Sequence, residues 1–208
     1  MAQVTKQHYS FSSYLNLPRW YSYWNQIDEC IKLKPNSVLI IGVGDNIVAK
    51  ILSDNIAVVH TFDIDQTLNP TFCGNLLEIQ NIISQRYDVI LCCQVLEHLP
   101  YENFEAVLLQ LSHLSKFLIL SLPYCHHKLI DFNLSLLKYK FNINLSIPRF
   151  YKQWNFDGQH YWEIGCKGYG LKKINQSIQK FFHLNNRYQS RINSYHYFYI
   201  LSPHKHSQ

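Results

Sequence analysis

Short apolar runs alternate with segments of helical periodicity along much of the chain. The apolar runs lack the every-second-residue alternation of a half-exposed strand, which is typical of strands buried on both faces of a parallel sheet. They cover residues 37–41, 57–62, 87–92 and 117–122. Helices are predicted around them at residues 19–33, 45–52, 76–84, 102–114 and 169–181. This order predicts an α/β fold with a doubly wound, mostly parallel sheet.

The pattern changes after residue 123. Residues 124–165 mix aromatic, Asn, Lys and His residues and include an amphipathic stretch at 130–138. Two further strand-like runs close the chain, at residues 182–190 and 195–202, with a very short connection between them. A parallel return needs a long crossover, so this last pair of strands is predicted to be antiparallel.

The composition is that of a folded domain. The chain has 208 residues, of which 47% are apolar and 16% are charged, so disorder over most of its length is excluded. No apolar run approaches the roughly 20 residues that span a bilayer. Residues 1–13 lack the apolar region of a secretory signal. We therefore expect one domain over residues 1–208, without a membrane span, in the cytoplasm, and a homodimer as the commonest assembly.

The distribution of charged residues and cysteines limits the kinds of partner and metal site that the sequence predicts. The net charge is +5, but Lys and Arg are scattered along the chain, so no nucleic-acid partner is expected. The six cysteines form no Cys-x-x-Cys pair, which argues against a disulfide framework or a zinc knuckle. Cys125, His126 and His127, with His160 or Cys166, are metal-ligating residue types. Their spacing matches no established metal-binding element, so no metal is expected.

Aromatic residues, 15% of the chain, crowd the N-terminal segment and residues 150–162. Such rings either line a substrate cleft or pack at the edge of the domain, and the sequence leaves both interpretations open.

A glycine turn and an aspartate point to a nucleoside-containing cofactor. Gly42 and Gly44 lie between the first predicted strand and the helix that follows it. Glycine lets a ligand approach the backbone closely at a helix N-terminus. Asp63 ends the next strand, about 20 residues after Gly44, which suits a carboxylate that accepts hydrogen bonds from ribose hydroxyls. Ile47 stands where a dinucleotide-binding turn has its third glycine, which disfavours NAD.

Four segments together resemble one enzyme family. They are Val-Leu-Ile-Ile-Gly-Val-Gly at 38–44, Phe-Asp-Ile-Asp at 62–65, Cys-Gly-Asn-Leu at 73–76, and Tyr-Asp-Val-Ile-Leu-Cys-Cys-Gln-Val-Leu-Glu-His-Leu at 87–99. Their order and intervals over residues 36–123 resemble class I S-adenosylmethionine-dependent methyltransferases, in particular the methyltransferase type 11-like branch with a Leu-Glu-His signature. The resemblance implies a Rossmann-like sheet of seven strands, the last inserted antiparallel.

The resemblance also implies a cofactor, S-adenosylmethionine, and a site for it. The residues that the family's motifs match are Gly42, Val43, Gly44, Asp63, Ile64, Asn75, Leu76, Cys93 and Gln94. The implied reaction is methyl transfer to a small-molecule, sugar or lipid-linked acceptor. Residues 1–35, an aromatic N-terminal helix or lid, and residues 124–165, an insertion, are expected to cover the acceptor.

The motifs depart from the family pattern at Ile40, Asn46 and Asn75. The family often has an acidic residue, a glycine and an aspartate there, respectively. These departures keep open a degenerate, non-catalytic binding domain of the same fold. An NAD-dependent oxidoreductase is a further, less favoured alternative.

Two histidines are candidate catalytic residues. A hydroxyl acceptor needs a base near its proton, and His98 and His160 are the residue types and positions that suit this role. Glu163 is close enough in sequence to orient His160. The alternative is structural: His98 in a helix cap or the core, and His160 hydrogen-bonded to the backbone of a loop.

Overall fold

The computed structural model describes residues 6–10, 14–136 and 139–204, and a seven-stranded sheet lies at its centre. The strands, including a separate hairpin made of β6 and β7, are β1 (Ser37–Ile41), β2 (Val58–Asp63), β3 (Phe72–Cys73), β4 (Tyr87–Cys93), β5 (Ser115–Pro123), β6 (His126–Leu136), β7 (Tyr139–Pro148), β8 (Phe182–Gln189) and β9 (His196–Pro203). The helices are α1 (Leu17–Lys32), α2 (Ile47–Ser53), α3 (Ile79–Ile82), α4 (Phe104–Leu114) and α5 (Leu171–Gln179). None of the described helices is long and apolar enough to cross a membrane.

The strand order in the sheet is β3-β2-β1-β4-β5-β9-β8. The strands from β3 to β5 are parallel to one another, whereas β9 runs antiparallel to both β5 and β8. The predicted doubly wound sheet and its antiparallel C-terminal strand are therefore confirmed. The order reverses between β1 and β4, and ligands of such sheets bind at this switch point, beyond the carboxyl ends of the strands.

Both faces of the sheet are buried at its central strands β1, β4 and β5, which explains their continuous apolar runs. The run at 57–62 is less buried than predicted: in β2 only Phe62 is buried, and Val58 is exposed because β2 lies towards the edge of the sheet. Successive side chains of a strand point to opposite faces. In β1, Leu39 and Ile41 belong to a core cluster with α4 and α5, while Val38 and Ile40 belong to a second cluster with α1 and α2. A strand in this position must be apolar at every residue rather than at every second one.

The sequence did not indicate three of the strands. β3 contains only Phe72 and Cys73, which is too short to produce a pattern. The antiparallel hairpin of β6 and β7 lies within the predicted insertion, and the stretch at 130–138 runs along β6 as far as Leu136. The hairpin forms its own two-stranded sheet. Its strands are therefore not part of the main sheet and lack the continuous apolar sequence that predicted the central strands. Residues 137–138 of that stretch, and residues 1–5 and 11–13 of the expected N-terminal lid, lie outside the described part of the chain.

Asp88 ties together the beginnings of three parallel strands. Its Oδ2 accepts hydrogen bonds from the backbone N–H groups of Asn36 and Ser37, at 2.8 and 3.2 Å. Its Oδ1 lies 2.6 Å from Nζ of Lys116 on β5. The bond to Lys116, with those from the backbone, holds the pKa of Asp88 below its ordinary value.

We expect Asp88→Ala to lower the free energy of unfolding by about 1–3 kcal/mol, because two backbone donors lose a charged acceptor. Lys116→Ala is the matched control, and it should cost less than about 1 kcal/mol because the lysine is largely exposed. Urea unfolding at pH 7 measures both. An equal loss in the two variants would contradict a role for the backbone bonds.

The Asp88 contribution should also depend on pH. Since the folded-state pKa is lowered, the stabilisation is complete above the unfolded-state value of about 4 and is lost as the pH falls through the folded-state value. The difference in melting temperature between the wild type and Asp88→Ala should therefore be constant above about pH 5 and shrink below about pH 4.

Candidate functional site

A cavity of about 620 Å³ opens at the carboxyl ends of β1, β2 and β4, within the size range of small-molecule sites. Every residue that the sequence assigns to the cofactor lies on its wall, namely Gly42, Val43, Gly44, Asp63, Ile64, Asn75, Leu76, Cys93 and Gln94. His98 and His160 line the same cavity. The structure thus brings all of these residues together, while their chemical roles stay predictions.

The glycine turn after β1 has a backbone that other residues rarely adopt. Gly42 and Gly44 have φ values of 84° and 56°, and Asn46 has φ 65°. The N–H of Gly42 donates to the carbonyl of Phe62 at 2.9 Å, which attaches the turn to β2. A Cβ atom on Gly42 would lie only 2.7 Å from Cγ2 of Val95, so a side chain at this position has no room.

Asp63 holds the same turn from the tip of β2. Its Oδ2 accepts a hydrogen bond from the N–H of Val43 at 2.7 Å, and its Oδ1 accepts one from the N–H of Asp65 at 2.9 Å. An ionised carboxylate has about four acceptor positions, so Asp63 keeps capacity for hydroxyl donors in the cavity. The carboxylate is therefore fixed in position before any ligand arrives.

Helix α1 braces the turn from the other side. The hydroxyl of Tyr23 donates to Oδ2 of Asp45 at 2.7 Å, and Oδ1 of Asp45 accepts from the N–H of Ile47 at the start of α2. The single side chain of Asp45 therefore links the glycine turn to both helices.

The N-terminal segment adds aromatic rings to the cavity wall. Tyr9, Tyr14 and Tyr23 line the cavity, and burial raises the pKa of Tyr9 to about 12. Trp20 and Trp24 are exposed and do not line it. The aromatic N-terminus thus has both predicted uses, some rings in the cleft and others at the edge of the domain.

The positions at which the sequence departs from the family motifs change the groups available on the cavity wall. Oδ1 of Asn75 accepts the N–H of Leu77 at 3.1 Å, so the side chain's remaining hydrogen-bonding group is an N–H₂ donor. Ile40 is buried and lines the cavity, so this position offers no carboxylate. Gln94, with φ 57°, donates through its N–H to the carbonyl of Ser121 at 2.9 Å, which fixes the turn after β4.

A loop from the insertion docks against the turn that carries His98. The N–H of Tyr161 donates to the carbonyl of Glu97 at 2.8 Å. The indole N–H of Trp162, which is fully buried, donates to the carbonyl of Leu99 at 3.1 Å. These bonds bring His160 beside His98, with 4.9 Å between the ring centroids.

Both histidine rings have partners at Nδ1. Nδ1 of His98 lies 3.0 Å from the carbonyl oxygen of Gln159, and a carbonyl only accepts, so this nitrogen carries the proton. Nδ1 of His160 lies 3.0 Å from Oε1 of Glu163, as the sequence suggested. The hydroxyl of Tyr195 donates to the same oxygen of Glu163.

Burial and charge shift the pKa values in this group. Burial raises the pKa of Glu97 to about 8 and lowers the pKa of His98 to about 4. Burial also opposes protonation of His160, but the hydrogen bond with Glu163 and the charges of Glu97 and Glu163 outweigh it, so its pKa is raised. Perturbed pKa values of this kind are common beside the clefts of functional sites.

No protein-family model and no curated protein sequence matches the chain. Solved structures do match. A methyltransferase from Clostridium acetobutylicum is 9% identical with a TM-score of 0.59, covering 94% of this chain and 95% of that one. The N-methyltransferase NodS from Bradyrhizobium japonicum, in complex with S-adenosylhomocysteine, is 10% identical with a TM-score of 0.57 over 90% and 88% of the two chains. Magnesium protoporphyrin IX methyltransferase from Synechocystis, with bound S-adenosylmethionine, is 18% identical with a TM-score of 0.54 over 90% and 83%.

The chain has the fold of the S-adenosylmethionine-dependent methyltransferases. Within this methyltransferase fold, the Leu-Glu-His branch inferred from residues 96–98 stays a prediction.

Several residues that line the cavity carried no usable sequence signal. Asn193 and Tyr195, from the connection between β8 and β9, and His196, the first residue of β9, line it. Burial, with a smaller effect of the Arg19 charge, lowers the pKa of His196 to about 3. Only the insertion of β9 beside β5 brings this connection to the carboxyl ends of the parallel strands. A family alignment, rather than residue spacing, is the signal that finds such residues.

Gly42→Ala should reduce stability by more than about 2 kcal/mol, because it combines a positive φ with a clash. Gly168→Ala is the matched control: its φ is 85°, but its Cβ would meet no atom within 4 Å. That variant should cost only about 1 kcal/mol. Chemical denaturation of the two variants separates the clash from the backbone strain. The Gly42→Ala penalty should also be smaller in a Val95→Ala background; the same penalty in both backgrounds would contradict the clash.

Proposed function

We propose that the chain is an S-adenosylmethionine-dependent methyltransferase whose cofactor binds in this cavity. One observation carries the proposal: the Asp63 carboxylate is held at the tip of β2 by the glycine turn, on the wall of a cavity at the switch point of a methyltransferase fold. Two of the three similar structures described above contain S-adenosylmethionine or S-adenosylhomocysteine. The residues present suit an adenosyl ligand.

The residues of this chain would divide the binding among them. Asp63 accepts hydrogen bonds from ribose hydroxyls, and the backbone of Gly42 to Gly44 lies along the ligand. Asn75 donates to adenine ring nitrogens, while Ile64 and Leu76 contact its faces. When bound, the cofactor supplies a methyl group already activated on a sulfonium, so the protein's remaining tasks are alignment and exclusion of water.

The acceptor is proposed to bind beside the histidines. Tyr14, Tyr195, His98, His160 and Gln159 line the cavity there, and mixed aromatic and polar walls suit a small molecule, a sugar or a lipid-linked compound. Of the insertion, residues 159 and 160 reach the cavity, so we propose this loop and the N-terminal segment as its cover. One similar protein is named as an N-methyltransferase and another for magnesium protoporphyrin IX, so the neighbours do not select one acceptor.

The departures at Ile40 and Asn75 favour one second candidate, a non-catalytic domain that binds the same cofactor weakly. Ile40 places an apolar side chain on the cavity wall where the family often has an acidic residue. Turnover on any acceptor excludes this candidate. A cytoplasmic location and a homodimer stay predictions.

S-adenosylhomocysteine should raise the melting temperature of the purified protein by about 5 °C or more at 100 times its dissociation constant, because a ligand of the folded state stabilises it by about 2.7 kcal/mol. NAD at the same concentration should produce no shift. Differential scanning fluorimetry measures both. A shift with NAD alone would favour the oxidoreductase alternative, and no shift with either ligand would contradict a nucleoside cofactor.

Asp63→Ala should weaken S-adenosylhomocysteine binding about 10- to 100-fold, since hydrogen bonds to a charged acceptor are lost. Asp54→Ala is the matched control, because Asp54 is an exposed residue at the far end of α2 and does not line the cavity. Its affinity should equal that of the wild type. Isothermal titration calorimetry measures the dissociation constants, and equal affinity of Asp63→Ala and the wild type would place the cofactor elsewhere.

A further inference from the structure

Glu97, His98 and His160 form a cluster of metal-ligating side chains at the edge of the cavity. One ligand atom from each residue lies within 4.8 Å of the other two. Glu97 and His98 lie in the turn after β4, and His160 comes from the loop docked against it. Among the described residues, no other three His, Cys, Asp or Glu side chains meet in this way. Cys125, His126 and His127 therefore do not form such a group.

The burial of Glu97 is a second observation, independent of the cluster geometry, that points to a cation. Its side chain is fully buried, and neither carboxylate oxygen receives a hydrogen bond from another described residue. Burying a carboxylate without a partner is costly, and buried charges in proteins are paired or coordinate metals. The carboxylate belongs to the same cluster as two imidazoles, so a cation among the three would supply the partner.

The two imidazoles are oriented as metal ligands usually are. A ligating histidine donates its other ring N–H to a carboxylate or a backbone carbonyl, which sets the tautomer and the ring orientation. Nδ1 of His98 meets the carbonyl of Gln159, and Nδ1 of His160 meets Glu163. In the neutral rings the lone pair is then on Nε2. The loop backbone is fixed as well, since Oδ1 of Asp157 accepts the N–H of His160 at 2.7 Å.

We propose that Glu97, His98 and His160 bind a divalent transition-metal cation at the acceptor side of the cavity. Two imidazoles and one carboxylate suit zinc, iron or manganese rather than calcium, and three protein ligands leave coordination positions open. The ligands are adjacent residues 97 and 98 and the distant residue 160, which is why spacing along the chain does not predict the site.

The cation also defines a class of acceptor, an inference that rests on the proposed function. His98 and His160 line the cavity, so the open coordination positions are accessible to a molecule bound there. A hydroxyl oxygen bound to the cation has a lowered pKa and releases its proton to solvent more readily. The acceptor would therefore be a compound with one or more hydroxyl groups, and the histidines would be ligands rather than bases.

The test measures metal binding without cofactor or acceptor. The full chain, treated with a chelator and dialysed, is titrated with Mn²⁺ and with Zn²⁺ by calorimetry, and bound metal is quantified by mass spectrometry. We expect one equivalent per chain. Glu97→Gln and His160→Ala should weaken binding by about 100-fold or more. Glu163→Gln, which changes only the residue that orients His160, should weaken it about 10- to 100-fold.

Controls keep the test independent of folding and of the cofactor. Glu97→Gln should melt at or above the temperature of the metal-free wild type, because it replaces a buried ionisable carboxyl group with a neutral amide of similar size, and should bind S-adenosylhomocysteine within about threefold of the wild type. His183→Ala is the matched histidine control. It removes an exposed pair in which Nδ1 of His204 lies 3.0 Å from Nε2 of His183, and it should leave the stoichiometry at one metal ion per chain. No binding of either metal, binding that persists in Glu97→Gln and His160→Ala, or binding lost in His183→Ala would overturn the proposal. Failure of cofactor binding alone would overturn only the proposed function.

Discussion

The hydrogen bond between the Asp63 carboxylate and the N–H of Val43 is the interaction on which the site depends. It joins the tip of β2 to the turn after β1, at the point where the parallel sheet leaves a crevice. Because the second carboxylate oxygen is also held by the backbone, the acceptor is oriented without a ligand. A group fixed in this way loses little conformational entropy when a ligand binds, which is the advantage of a site built on strand ends.

The rest of the cavity is built by elements added to the sheet. Tyr23 on α1 holds Asp45, so the helix that covers one face of the sheet also braces the glycine turn. On the other side, the buried Trp162 anchors a loop of the insertion through the carbonyl of Leu99. The sheet thus positions the proposed cofactor residues, whereas the added segments position the side chains proposed for the acceptor.

The buried Glu97 shows how stability and function are balanced in this fold. A fully buried carboxylate that receives no hydrogen bond from a neighbouring residue is costly in its charged form, and burial accordingly raises the pKa of Glu97. Here two oriented imidazoles lie beside it, and the opposed pKa shifts of Glu97 and His98 follow from the same low-dielectric surroundings. The cost of burying the Glu97 carboxylate and the metal binding proposed for it both follow from its removal from water.

The sequence by itself determined the sheet and its proposed cofactor edge. Strands buried on both faces must be apolar throughout, and a residue that ends one parallel strand lies near the residues that end its neighbours, so Gly42 and Asp63 were predictable from local patterns. Gln94 was predictable only from the family resemblance of residues 87–99. The short strand β3 and the hairpin of β6 and β7 were not, because one is two residues long and the other lies outside the main sheet. Only the tertiary structure decided that His160 lies beside Glu97 and His98, and that Tyr195 reaches Glu163. These contacts join residues that are far apart in the chain, through the docking of loops. Contacts of this kind produce no periodicity, fixed spacing or composition bias in the sequence, so they cannot be predicted from it.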